Sequence, residues 1–159
     1  MRKPRQAADK AKRREPKRYV LDTSAVIAYL ADEAGAQDVT ALLRRAERGQ
    51  VEMLLSFMSL MELEYNAMRR GGRELATDVL MKVRALPLTL SFTNDPPFLH
   101  EAALLKASYP LSVADAWIAA LARTARATLM HKDPEFEALT GVIASLPLPY
   151  KSPAVRPSP

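Results

Sequence analysis

Residues 19 to 30 read Tyr19-Val-Leu-Asp22-Thr-Ser24-Ala-Val-Ile-Ala-Tyr-Leu30. The opening apolar run is brief and ends on a carboxylate, so it reads as a short buried strand closed by Asp22. From Ser24 to Leu30 small and aliphatic residues follow without a breaker, which reads as a helix. A strand that turns into a helix at an acid is the start of a β–α unit.

Working outward, the same alternation recurs. Gln37 to Arg48 reads as a helix with its charges on one face, and Val51 to Phe57 as a strand. Ser59 to Arg70 reads as a helix stopped by Gly71-Gly72, and Glu74 to Ala85 as another. Pro87 to Phe92 alternates like a strand, Asn94-Asp95-Pro96-Pro97 is a turn, and Phe98 to Ala107 is helical. Ser112 to Arg126 is the most apolar helix. Ala127 to Met130 is a strand, Pro134 to Leu139 a short helix and Val142 to Leu146 a last strand. Strands alternating with helices predict an α/β fold, a parallel sheet of about five strands with helices on both faces. In such a sheet, function sits at the carboxyl ends of the strands, near a topological switch point.

The 159 residues fit one domain, predicted over 19–146, between a basic tail at 1–18 read as disordered and a Pro-rich tail at 147–159. The net charge of +5 hides an asymmetry. Residues 1–18 hold nine Lys or Arg against two acids, a charge of +7, which leaves the body at −2. A basic arm of this kind attracts phosphate backbones without sequence preference; the plainer reading is a solvated leader. With no cysteine, disulfides, thiolate catalysis and Cys-ligated zinc are excluded. No apolar run reaches the roughly 18 residues that span a bilayer, so a cytoplasmic protein is expected.

Four acids stand out, each with a structural explanation beside the functional one. Asp22 opens a helix and can be its N-cap. Glu62 lies three residues after Ser59, the spacing of a capping box, with Glu64 a nearby decoy on nearly the opposite face. Asp115 also fits a capping box with Ser112, but its neighbours one turn away are Leu111, Ile118 and Ala119, and a carboxylate in such surroundings is costly unless paired or coordinated. Asp133 precedes Pro134, a natural cap and first position for a short helix. Gathered at one end of a parallel sheet, four carboxylates would raise one another's pKa and repel, and hard divalent cations are the natural remedy. An all-oxygen donor set suits Mg²⁺ or Mn²⁺.

These stretches resemble, in order, the motifs of the PIN-domain nucleases, especially the VapC-like toxins of bacterial and archaeal toxin–antitoxin pairs. Tyr19 to Ala25 resembles the opening strand with its first acid, Asp22, and the accompanying hydroxyl, Ser24. Ser56-Phe-Met-Ser-Leu-Met-Glu-Leu63 resembles the second motif and selects Glu62 over Glu64; Leu111 to Ala116 gives Asp115, and Thr128 to Phe136 gives Asp133. The resemblance covers about Tyr19 to Leu146. It implies a flavodoxin-like three-layer sandwich and Mg²⁺- or Mn²⁺-dependent endoribonuclease activity. Asp22, Asp115 and Asp133 would hold metal, and Glu62 would complete the catalytic set. It further implies frequent homodimerisation and a small antitoxin that blocks the acidic pocket with a basic side chain.

The chain differs from the pattern at His131, where the family commonly carries a hydroxyl residue. With Ser24, His131 is a candidate contact for RNA; an imidazole there can also ligate metal or simply pack. The long basic arm favours a rival reading as a housekeeping PIN nuclease of RNA maturation. A further alternative is a catalytically inactive PIN-fold module that only binds RNA, which has little use for a negative pocket. DNA-directed or phosphatase-like chemistry uses similar carboxylates.

Overall fold

Short aliphatic runs without polar alternation bury both of their faces, which only a sheet covered by helices on each side allows. The computed structural model, which describes residues 15–150, has this architecture. In chain order the elements are β1 (Lys17–Leu21), α1 (Thr23–Leu30), α2 (Ala36–Glu47), β2 (Val51–Ser56), α3 (Phe57–Arg84), β3 (Thr89–Ser91), α4 (Pro96–Ser108), α5 (Val113–Thr124), β4 (Thr128–His131), a 3-10 turn (Pro134–Leu139) and β5 (Ser145–Pro147). The strands pair in the order β3-β2-β1-β4-β5, all parallel.

Side chains alternate across each strand and divide the core in two. Val20, Leu54 and Leu129 face α4, α5 and the 3-10 turn, packing with Phe98, Ile118 and Phe136. Tyr19, Leu21, Met53, Leu55 and Met130 face α1, α2 and α3, packing with Val26, Leu42 and Leu63. Three layers result. The chain runs outward from β1 to β2 and β3, then returns to lay β4 and β5 on the other side of β1. The switch point therefore lies where β1 and β4 end side by side, and the Asp22 N–H donates to the Met130 carbonyl there at 2.9 Å.

Polar residues start every helix but α2, which follows Gly35. Asp22, Ser56, Asp95, Ser112 and Asp133 each accept a backbone N–H from the turn they open, the role short oxygen-bearing side chains play at N-caps. α3 is two helices that meet at a kink, where Gly71 and Gly72 leave the helical conformation as the sequence predicts. Gly72 has φ of 76°, a left-handed conformation that glycine adopts without strain, so the two predicted helices are two arms of one element.

Most boundaries fall within one or two residues of expectation, and four differences bear on the packing. β1 begins at Lys17, and Arg18 is a strand residue whose guanidinium pairs with Glu52, its register partner on β2, at 2.7 Å. α3 begins at Phe57 with Ser56 as cap, so Ser59 is inside the helix. The last strand is shifted to Ser145–Pro147, because the Val142 and Ile143 N–H groups continue the preceding turn by donating to the Leu139 carbonyl. The chain beyond Leu146 is packed rather than loose as far as Tyr150. Leu148 is buried, its N–H donates to the His131 carbonyl at 2.7 Å, and a buried leucine contributes about 2 kcal/mol. The remaining parts of both predicted tails, 1–14 and 151–159, lie outside the described residues.

Candidate active site

The four acids come from four places that the topology brings to the carboxyl edge of the sheet. Asp22 sits between β1 and α1, Glu62 in the second turn of α3, Asp115 in the first turn of α5, and Asp133 between β4 and the 3-10 turn. Asp22 is only 3% exposed. Burial is the larger cause that pushes its carboxyl up to about 7; the side chain and backbone of Ser24 oppose the shift, and the charges of Asp115 and Glu62 add to it. Glu62 is also raised, by burial first and then by Asp115 and Asp133, against a hydrogen bond from Thr23. Each of the four thus lies within electrostatic reach of another.

Each carboxylate is also engaged locally. Asp22 accepts from the Ser24 N–H at 2.9 Å and from the Ser24 hydroxyl. Glu62 accepts from the Thr23 hydroxyl, a bond between α1 and α3. Asp115 accepts from the Ser112 N–H at 3.3 Å while Ser112 caps α5, a full capping box. Asp133 accepts from the Glu135 N–H at 2.9 Å. Among the described residues no group of three or more His, Cys, Asp or Glu is poised to hold a metal ion. The two findings agree once distances are considered, since charges act over many ångströms and coordination needs about 2 Å. Repelling acids turn toward the nearest N–H or hydroxyl. The donor chemistry, oxygen only with Asp22 under charge strain, fits a hard cation.

The expected capping box at Ser59 is absent: the Ser56 hydroxyl accepts the Met58 N–H at 3.2 Å, while the Ser59 hydroxyl is fully buried without a hydrogen-bond partner. The local explanation for Glu62 therefore falls away. Asp115 is half-buried rather than embedded in apolar surroundings, because its side chain leaves the helix at the edge where Ser112 is exposed. Ser24 is tied into the wall, donating to Asp22 and accepting the Lys132 N–H at 2.8 Å.

His131 is 1% exposed. Its Nδ1 lies 2.9 Å from the Asp133 carbonyl, and its ring lies against Phe136 and Tyr150, at 5.1 and 6.4 Å between centroids. Burial lowers its pKa. The packing reading fits this geometry. Two residues were missed. Thr23 holds Glu62, a role its place between Asp22 and Ser24 could have suggested. The Lys132 ammonium is buried against Glu33 and the Ala34 carbonyl, at 2.9 and 3.0 Å, and pins the loop after α1; no sequence signal marks that pairing.

A family model described as PIN domain matches residues 19–142. The chain belongs to the PIN domain family. Comparison with curated protein sequences finds no match. Among solved structures, the PIN chain is similar to a chain of VapBC2 from Rickettsia felis bound to a DNA fragment from their promoter, with a TM-score of 0.65 and 17% identity over 83% of this chain and 99% of that one. It is also similar to a chain of DNA-bound VapBC from Salmonella typhimurium, with a TM-score of 0.65 and 20% identity over 82% and 98% of the two chains. A third is VapBC-5 from Mycobacterium tuberculosis, a member of the VapBC family of toxin-antitoxin systems, with a TM-score of 0.54 and 20% identity over 82% and 97%. At these identities the likeness is one of fold. Among the described residues no helix is long and apolar enough to cross a membrane.

Proposed function

We propose that this PIN domain is a metal-dependent endoribonuclease, a VapC-like toxin, hydrolysing RNA at Asp22, Glu62, Asp115 and Asp133. The observation that supports this reading most is that Asp22, Glu62, Asp115 and Asp133 stand on four elements at the carboxyl edge of the sheet, with Asp22 buried. A fold that merely bound phosphate would place positive charge there.

Asp22, Asp115 and Asp133 would hold Mg²⁺ or Mn²⁺, which supplies charge neutralisation at the phosphodiester and a more acidic water. Glu62, held by Thr23, would orient the attacking water and accept its proton. Ser24 keeps Asp22 aimed, and the Lys132 N–H keeps Ser24 in place. A cleft of about 340 Å³ opens beside Ser24, and Arg70, an exposed residue of its lining, would offer positive charge to the RNA backbone, the Lys132 charge being taken up by Glu33.

An antitoxin belongs to the same reading. An apolar cleft of about 180 Å³ between α1 and α3, lined by Ile27, Leu30, Leu63 and Ala67, suits the apolar side of a small partner whose basic side chain would reach the acids. A homodimer is expected, and light scattering of the purified chain checks it.

The deciding experiment is cleavage of a mixed RNA pool by wild type and Asp22→Asn with Mg²⁺, Mn²⁺ or EDTA. Cleavage that requires metal and vanishes in the variant is the expected result. A wild type inactive with every metal, and with no inhibitor copurifying, would overturn the reading.

A further inference from the structure

Four aromatic rings run from the core to the surface beside the acids. Phe98 on α4 is buried and lies 5.3 Å from Trp117 on α5; Trp117 meets Phe57 edge-on at 5.4 Å; Phe57 stacks on Phe92 at 6.1 Å with planes 8° apart. Exposure rises along the series. Phe98 is buried, Trp117 and Phe57 are half-buried, and Phe92 is 63% exposed. The centroid spacing and near-parallel planes describe a strongly offset stack, and Phe92 stays largely exposed beside Phe57.

The sheet register places these rings. Leu21 pairs with Leu55 on β2 and Leu55 with Leu90 on β3, and Ser56 pairs with Ser91 in the next row. Asp22, one residue past β1, is therefore level with Ser56 and Ser91, the last residues of β2 and β3, and Thr23, Phe57 and Phe92 stand one step beyond them. At about 4.8 Å per strand, Phe92 is displaced roughly 10 Å along the edge from the first acid. Trp117 is two residues from Asp115 on the same helix. The rings and the carboxylates share one edge of the sheet, with the rings toward β3.

We infer that Phe92, backed by Phe57 and Trp117, is a stacking platform for an unpaired base of the RNA flanking the scissile phosphate; this rests on the nuclease reading above. A single exposed phenylalanine needs no explanation, but one set parallel to a second ring, in a series that continues through tryptophan to a buried phenylalanine, is a supported apolar surface of the size of a base. The charge pattern favours a base over a phosphate. Four carboxylates repel a backbone that approaches without cations, whereas an uncharged ring adds affinity without drawing further phosphates toward them. Stacking tolerates any base, so the platform positions unpaired RNA and reads little sequence.

The test uses the full chain with Ca²⁺ in place of Mg²⁺ and a short single-stranded RNA carrying 2-aminopurine at successive positions. Stacking on Phe92 quenches the probe at one position. Phe92→Ala and Phe92→Leu should each lose that quench and bind about ten-fold more weakly, while Phe92→Trp retains both. The dependence of binding on salt should not change, because no phosphate contact is removed. With Mg²⁺, KM for cleavage should rise in Phe92→Ala while kcat holds. Circular dichroism checks that these surface variants remain folded.

A Phe92→Leu chain that binds and quenches like wild type would overturn the inference, because mere apolar contact would then suffice. Unchanged RNA binding in Phe92→Ala, with loss of a copurifying protein, would give the surface to a protein partner instead. If wild type cleaves and Phe92 variants match it, this inference alone fails; if wild type, free of any copurifying inhibitor, neither binds nor cleaves RNA, the nuclease reading fails with it.

Discussion

The N-termini of α3 and α5 carry the same local pattern, a serine followed three places later by an acid, and they fold differently. Ser112 is the cap of α5, and its hydroxyl and the Asp115 carboxylate exchange N–H bonds in a full capping box. Ser59 is not the cap of α3. Strand β2 stays paired with β3 through Ser56 and Ser91, and the helix starts immediately after, so Ser59 enters the helix as a buried residue with an unpartnered hydroxyl. Asp115 is thereby held by its own helix, whereas Glu62 is held by Thr23 from another element. A local pattern names candidates; the register of the sheet decides which of them cap their own helix and which are held by another element.

The largest expected effect removes the difference between these two acids. Asp115→Asn and Glu62→Gln should each lower metal-dependent RNA cleavage by roughly 1,000-fold, although only one of the two residues belongs to a cap. Near-normal cleavage by Glu62→Gln would reduce Glu62 to a tether between α3 and α1. Full activity in Asp115→Asn with Mg²⁺ would end the proposed mechanism altogether.

The next effect concerns Asp22, a cap that is also buried among charges. Its folded pKa, about 7, is above its ordinary value of 3.8, so the native state binds the proton more tightly than the unfolded chain. Its contribution is fully present below the unfolded pKa and is lost as pH rises through about 7, a change of roughly 4 kcal/mol. Asp22→Asn keeps the capping oxygen and removes the charge. Urea unfolding in EDTA should therefore find the variant more stable than wild type at pH 8 and little different near pH 4. Using the difference between the two proteins removes His131, whose lowered pKa acts in the opposite sense, adding stability as pH rises toward 6.5. A difference that does not vary with pH would show that Asp22 carries no charge strain.

The smallest effect bears on the two serines themselves. Ser112→Ala should cost about 1 kcal/mol by removing a cap. Ser59→Ala should cost nothing or stabilise slightly, because its buried hydroxyl makes no bond to lose. Equal losses in the two urea midpoints would mean that Ser59 has a partner in solution.

Much of this was legible in advance where the signal is local. Asp133 followed by Pro134 marked the start of the 3-10 turn, Gly71-Gly72 marked the break in α3, and the apolar runs at 19–21, 51–55 and 127–130 marked three central strands. The ends of the sheet were harder. β5 and the stretch through Tyr150 are Pro-rich and exposed on several sides, so neither period nor composition separates them from a loose tail. Leu148 is buried only because it lands beside His131.

The sequence by itself determined the kinds of elements, their order, the chemistry of their caps and the presence of four acids in the spacing of the PIN motifs, because propensity, capping and side-chain period act over a few residues. Tertiary structure alone decided that Glu62 is held by Thr23, that His131 lies against Phe136 and Tyr150, that Lys132 closes on Glu33, and that Phe57 and Phe92 stack at the same edge of the sheet. Each of those outcomes depends on which strand lies next to which and in what register. That is settled by burying both faces of one sheet at once, a condition on the whole chain that no short stretch of it can express.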